Sequence, residues 1–211
     1  MAKLTESKCK RCRRAGEKLF LKGERCFTPK CAMVRRPYAP GAKGAKKRSR
    51  GGLSDYGRQL REKQRIKVTY GVLEKQLKIY FRRAQAQKGD PRENLMKIFE
   101  MRLDNVIFRL GLAKSRPAAR QLVNHEHILV NRKKVSIPSY QIRKNDVISL
   151  KERTKLSRLT EDLTVKFKKY EPPKWLALDR EKTEGKVLQA PDTDDLGDVS
   201  PIGLIVAFYS R

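Results

Sequence analysis

Four cysteines are the residues of this chain best suited to chemistry. They stand as Cys9-x2-Cys12 and Cys26-x4-Cys31 near the start of a 211-residue sequence. Two short pairs joined by a longer loop can turn four thiolates toward one tetrahedral ion. A set that leaves no ligand position for water predicts a structural centre rather than a catalytic one. Zinc is the expected metal, an iron–sulfur cluster on the same four cysteines is the alternative, and unligated reduced thiols are the plainest reading. The neighbours Lys8, Lys10, Arg11 and Arg13 are expected to lower the thiol pKa values and to offset the negative charge of a four-thiolate site.

Other chemistry is thinly represented. No glycine-rich loop runs into Lys-Ser or Lys-Thr, and no Gly-x-Ser-x-Gly elbow occurs, so neither a phosphate-cradling nor a serine-nucleophile site is expected. His125 and His127 flank Glu126 where a helix should end, a place where histidines commonly satisfy the last carbonyls. No small-molecule substrate and no enzyme activity are expected. Charge is the dominant signal instead: 51 Lys and Arg stand against 23 Asp and Glu, a net +28. Residues 1–50 carry +14, residues 51–170 carry +17, and residues 171–211 carry −3. A compact chain with such a field repels itself and calls for a polyanion that releases counterions when bound. Nucleic acid is the expected partner, and no apolar run or strongly apolar amphipathic stretch supports a membrane. With no export signal read, a reducing cytoplasm is the expected compartment, which favours metal ligation over disulfides.

Positioning elements follow from caps and periodicity. Residues 1–50 read as a four-cysteine arm that runs into the basic loop RRPYAPGAKGAKKRSRGG, with little to bury. Ser54 caps a helix ending at Gly71, Leu73–Lys88 forms a second, and Asp90, Pro91 and Glu93 open a third. Leu103, Val106, Ile107 and Leu110 predict a short amphipathic helix stopped by Gly111, and Ser115 caps another with Ala118, Ala119, Leu122 and Val123 inward. Ile128–Val130 begins a strand, Asn131-Arg132 fits a two-residue turn, and Val135, Ile137, Val147, Ile148 and Leu150 supply further strand material. Residues 156–170 read as helical and 202–210 as a late strand. The expected fold class is α+β: a metal-clipped arm (1–50), a helical domain (51–101) onto which 155–211 folds back, and a two-helix, small-sheet module (102–154).

Candidate RNA contacts are the cations of these segments. In the arm they are Lys10, Arg11, Arg13, Arg14, Lys22, Arg35 and Arg36, and in the loop Lys46, Lys47, Arg48 and Arg50. The helical domain offers Arg58, Arg61 and Lys63. In the module, Arg109, Lys114, Arg116 and Arg120 are expected to converge with Asn131, Arg132, Lys133 and Lys134 as a basic ridge facing phosphates.

The segments LKGERCFTPKCAM, RRPYAPGAKG, LSDYGRQLREKQ, VTYGVLEKQ, MRLDNVIFRLGLAKSRPAARQLVNHEHILVN, PSYQIRKNDVI, PPKWL and IVAFYSR closely resemble the bacterial form of the small-subunit ribosomal protein four family, over nearly the whole chain. Residues 102–150 resemble the RNA-binding module named after that family, which also occurs in pseudouridine synthases and tyrosyl-tRNA synthetases. The resemblance implies a primary binder of small-subunit rRNA that nucleates assembly of its 5′ domain. It further implies a place beside the channel through which mRNA enters, contacts with ribosomal proteins three and five, and an influence on decoding accuracy. Members with the four cysteines hold a metal near the N-terminus, here on Cys9, Cys12, Cys26 and Cys31. An RNA-modifying enzyme or its accessory with the same module is the alternative, and a zinc-containing DNA-binding regulator a more distant one. Two departures stand out: Arg132 and Glu126 occupy positions where the family often has glycine, and a type I′ turn needs positive φ at both of its central residues.

Overall fold

Side-chain caps start the helices where the residue types dictate. In the computed structural model, which describes residues 6–41, 53–152, 170–180, 182–192, 195 and 200–210, the Ser54 hydroxyl accepts from the Gly57 N–H and the Ser115 hydroxyl from the Ala118 N–H. Each satisfies a donor that the first helical turn would leave unpaired. The helices are α1 (Lys8–Ala15), α2 (Ala32–Arg35), α3 (Asp55–Thr69), α4 (Glu74–Ala86), α5 (Pro91–Glu100), α6 (Leu103–Arg109), α7 (Arg116–Asn124) and α8 (Ser200–Tyr209), with a 3-10 turn over Gly23–Cys26. The chain divides into two compact units, Met1–Leu95 with Asp198–Arg211, and Met96–Gly197.

In the first unit, Cys12, Leu19 and Leu21 form a small core beneath the arm, with Ala15, Met33 and Val68 packed on it. The stretch expected to be a late strand is instead helix α8, which packs on α3. Ile202 and Ile205 are fully buried, and the aromatic rings of Phe208 and Tyr209 meet Tyr56 and Phe81. Burial at i, i+3 and i+7 is a helical period, and it overrides the strand preference of Ile and Val.

The second unit is helices on an antiparallel sheet. Strands β1 (Ile128–Val130), β2 (Lys133–Lys134), β3 (Val147–Leu150), β4 (Leu176–Asp179) and β5 (Glu184–Val187) lie in the order β2-β1-β3-β5-β4, which agrees with an α+β class. Registers such as Leu129 opposite Ser149 and Ile148 opposite Gly185 put Ile128, Val130, Ile148 and Val187 under α6 and α7. Two of the five strands come from beyond residue 154, so the sheet is wider than the two-helix module expected over 102–154. Val135 and Ile137 lie outside the strands, and Ile137 is exposed. Gly185 is required where it stands: a Cβ there would collide with the Leu110 side chain, so β5 can approach α6 only without one. The helix expected at 156–170 falls outside the described residues up to 169.

Candidate nucleic-acid interface

The arm is built around its cysteines. Cys12, Cys26 and Cys31 are buried and, together with Cys9, line one cavity of about 20 Å³ whose rim carries Lys8, Lys22 and Arg25. Burial pushes the Cys12 thiol up, helped by the three other sulfurs and only partly opposed by the backbone hydrogen bond at Leu19. That corrects the expectation of a lowered value for Cys12, because burial sets the direction. Among the described residues, no three His, Cys, Asp or Glu side chains are assembled closely enough to hold an ion, so the metal-clipped arm expected from the sequence is not shown. What is shown is one space shared by four soft donors, the set that suits zinc or an iron–sulfur cluster.

Beside it, Cys9 and Ala32 share a cleft of about 270 Å³ with Lys10, Arg13, Arg25, Lys30, Arg35 and Arg36. No carboxylate lines it. Apart from Arg13, whose guanidinium donates to the Tyr38 and Ala39 carbonyls and lies over the Tyr38 ring, none of these cations has a carboxylate or hydrogen-bond partner for its charged group among the described residues. Six positive charges on one concave surface raise the local potential and favour a phosphate backbone.

Other cations are committed to the fold. Arg61 donates to the Ala15 carbonyl at the end of α1. Arg58 pairs with Asp55, and Arg11 and Arg14 lie near Glu6. Lys63 is buried, 2.9 Å from Glu74, with its ammonium over the Phe208 ring. Lys67 and the Tyr209 hydroxyl also donate to Glu74. Burial pushes the Glu74 carboxyl up, but these hydrogen bonds prevail and bring it down to about 2. A depressed folded-state value adds stability above the ordinary carboxylate range and loses it as pH falls from about 4.5 toward 2. Acid unfolding of the first unit should therefore show this step, and Glu74→Gln should flatten it; an unchanged acid limb in that variant would remove Glu74 from the account.

In the second unit, three cations of the expected basic ridge, Arg109, Arg116 and Arg120, find partners within the fold. Glu100, 1% exposed, accepts from Arg109 Nε and Nη2 at 2.9 and 3.0 Å and from Asn105 Nδ2 at 2.8 Å. Arg116 donates to Asn105 Oδ1 at 2.7 Å and lies over the Phe108 ring. Arg102 forks onto Asp104, which Arg120 also approaches. These arginines are structural first; Lys114 is exposed.

The turn beyond β1 is different. Asn131 and Arg132 have φ of 50° and 64°, as a type I′ turn requires. The Asn131 amide bridges to Asp146 and to the Val147 N–H, while Asp146 accepts from the Arg143 N–H. The turn at 143–146 is thereby held against the hairpin, and exposed Arg132, Lys133, Lys134, Arg143 and Lys144 gather at one end of the sheet. Glu126, φ 57°, closes α7: its N–H donates to the Val123 carbonyl and that of His127 to Leu122, the two bonds of a Schellman end. His125 and His127 stack on each other at 6.1 Å. A non-glycine residue in the left-handed region costs about 1 kcal/mol. Arg132→Gly is expected to raise thermal stability by about that much and to weaken RNA binding. Tighter binding with higher stability would remove the phosphate contact at Arg132.

Comparison with known proteins follows the two units. Residues 3–100 match the family profile described as Ribosomal protein S4/S9 N-terminal domain, and residues 101–148 match the S4 domain. Small ribosomal subunit protein uS4 of Halothermothrix orenii is 50% identical over 211 residues, covering all of both chains. The proteins of the same name from Heliobacterium modesticaldum and Clostridium botulinum are 48% and 49% identical, again over the full length of both chains. The chain belongs to the uS4 family of small ribosomal subunit proteins.

In this uS4-family chain most of the sequence-derived contacts sort into three groups. Lys10, Lys22, Arg35, Arg36, Arg132 and Lys133 are exposed. Arg61, Lys63, Arg109, Arg116, Arg120 and Asn131 hold the fold together. Lys46, Lys47, Arg48 and Arg50 lie outside the described residues. Arg25, Lys30, Arg143 and Lys144 were missed, because only the folded chain brings them to the cleft and to the hairpin end; a spacing rule on cations could not have found them. Among the described residues, no helix is long and apolar enough to cross a membrane.

Proposed function

We propose that this chain is a non-catalytic, structural RNA-binding protein of the cytoplasmic small ribosomal subunit. It binds rRNA early, nucleates the 5′ domain, adjoins the channel through which mRNA enters, and touches ribosomal proteins three and five, with an effect on decoding accuracy. The observation that carries the RNA reading is the arm's cleft, in which six cations face one space with no lining carboxylate. The full-length match to relatives named small ribosomal subunit protein supports the subunit assignment. An RNA-modifying enzyme built on the same module fits less well, since Leu176–Asp179 and Glu184–Val187 are strands of the sheet and Ser200–Tyr209 packs on α3.

A resident ion would be held by Cys9, Cys12, Cys26 and Cys31, zinc by preference or an iron–sulfur cluster. It would supply a cross-link with no open coordination position. Four thiols lining one cavity, with Cys12 pushed up by burial and then by the other sulfurs, is an arrangement a cation would relieve. Sedimentation of cell extract through a sucrose gradient at moderate salt tests the whole reading. The chain should travel with small-subunit particles, and sedimentation as free protein would overturn it.

A further inference from the structure

The cysteine arm displays an aromatic pair that neither the core nor the proposed metal uses. Phe20 and Phe27 stack with ring centroids 5.1 Å apart, yet they are 41% and 75% exposed. Phe20 holds this position at a φ of 49°, a conformation that L residues other than Asn and Asp adopt at a cost. Phe27 sits on a stiff loop. Its N–H donates to the Glu24 carbonyl, the Thr28 hydroxyl to the Arg25 carbonyl, and the Cys31 N–H to the Thr28 carbonyl, with buried Cys26 and Cys31 anchoring both ends. A strained, rigid and wet aromatic stack has no role in folding that its own contacts explain.

The surroundings indicate what covers it. Arg25 and Lys30, two residues before and three after Phe27, both line the cationic cleft, and Lys18 and Lys22 are exposed on the preceding segment. An apolar protein surface would gain nothing from a cleft of six cations; a nucleotide uses both features, a π-face for the ring and a phosphate for the charges. The geometry points to a site for one unpaired nucleotide of RNA, its base stacked on Phe27 and its phosphate in the cleft of Lys10, Arg25, Lys30, Arg35 and Arg36. The inference rests on the RNA-binding reading above and adds a specific contact to it.

The test uses the full chain and a single-stranded RNA hexamer containing 2-aminopurine, whose fluorescence falls when the base stacks on an aromatic ring. Binding to small-subunit rRNA is measured in parallel. The native chain should quench the probe. Phe27→Leu, which keeps an exposed apolar side chain of similar bulk, should abolish most of the quenching and weaken hexamer binding about tenfold, as for one lost stack. Its salt dependence should not change, and Phe27→Tyr should restore both signals. Lys30→Ala with Arg35→Ala should instead flatten the salt dependence by about one to two units of slope while the bound probe remains quenched. Full quenching and unchanged affinity in Phe27→Leu, with rRNA binding intact, would overturn the nucleotide site alone and leave the pair to a protein neighbour. Failure of the native chain to bind either RNA would overturn the RNA-binding reading and the site with it.

Discussion

Glu100→Ala is expected to destabilise the second unit by about 3–5 kcal/mol, the range for breaking a buried ion pair from one side. The carboxylate is 1% exposed and collects Arg109, Asn105 and, at 4.0 Å, Arg116. Truncation leaves the Asn105 amide and the Arg116 guanidinium facing an emptied polar site. Arg109, a third exposed, can turn to water, so the loss falls mainly on the other two. Trp175 is the only tryptophan and lies in this unit's core. Urea unfolding followed by its fluorescence therefore reports the unit directly. Glu100→Gln, which keeps the shape and an acceptor, should lose less than the alanine variant. A loss below about 1 kcal/mol in Glu100→Ala would mean that the pairs are incidental, as exposed ones generally are.

Cys26→Ala should disorder the arm and leave the second unit folded. Among the described residues, the arm buries just five apolar side chains, Cys12, Leu19, Leu21, Cys26 and Cys31. Each buried side chain contributes about 1.5–3 kcal/mol, whereas ordering the backbone costs about 1–2 kcal/mol per residue. A core this small is not expected to hold residues 6–41 unaided; the cross-link proposed through the cysteines would do so, since structural zinc sites contribute about 10–16 kcal/mol. Amide exchange across Lys8–Arg35 should accelerate to the rate of an open chain in the variant, and equally after treatment of the native protein with a strong chelator. The Trp175 transition should stay where it was. A protected arm under both treatments would show that packing suffices and that the cysteines hold nothing.

Much of this architecture was legible in the residues. Ser54, Asp90 and Ser115 marked helix starts, Gly111 a stop, and Asn131-Arg132 a turn, because each relies on a local interaction that needs no tertiary partner. Failures came where distant partners decide. Residues 202–210 were misread through their β-branched content, although Ile202, Ile205 and Tyr209 already carried a helical period. Strands β4 and β5 are only four residues each, so they declare themselves only when β5 pairs with β3 and β4 with β5. At the candidate interface, the same limit hid the internal partners of the ridge arginines. Glu100 and Asp104, which take up Arg109, Arg102 and Arg120, were invisible as partners until α5, α6 and α7 were assembled. The arm's cleft is the reverse case: Arg25 and Lys30 looked scattered and proved to share a surface with Arg35 and Arg36.

The central claim is that this chain's cations divide between those that bind RNA and those that hold the fold. The slope of log affinity against log salt for small-subunit rRNA, measured on two variants, tests it most directly. Replacing Lys10, Arg35 and Arg36 with alanine should reduce the slope by about two to three units, close to one per lost phosphate contact. Lys63→Gln should leave the slope unchanged, since that ammonium already sits between Glu74 and Phe208. An unchanged slope in the arm variant, or a reduced one in a folded Lys63→Gln, would contradict the division.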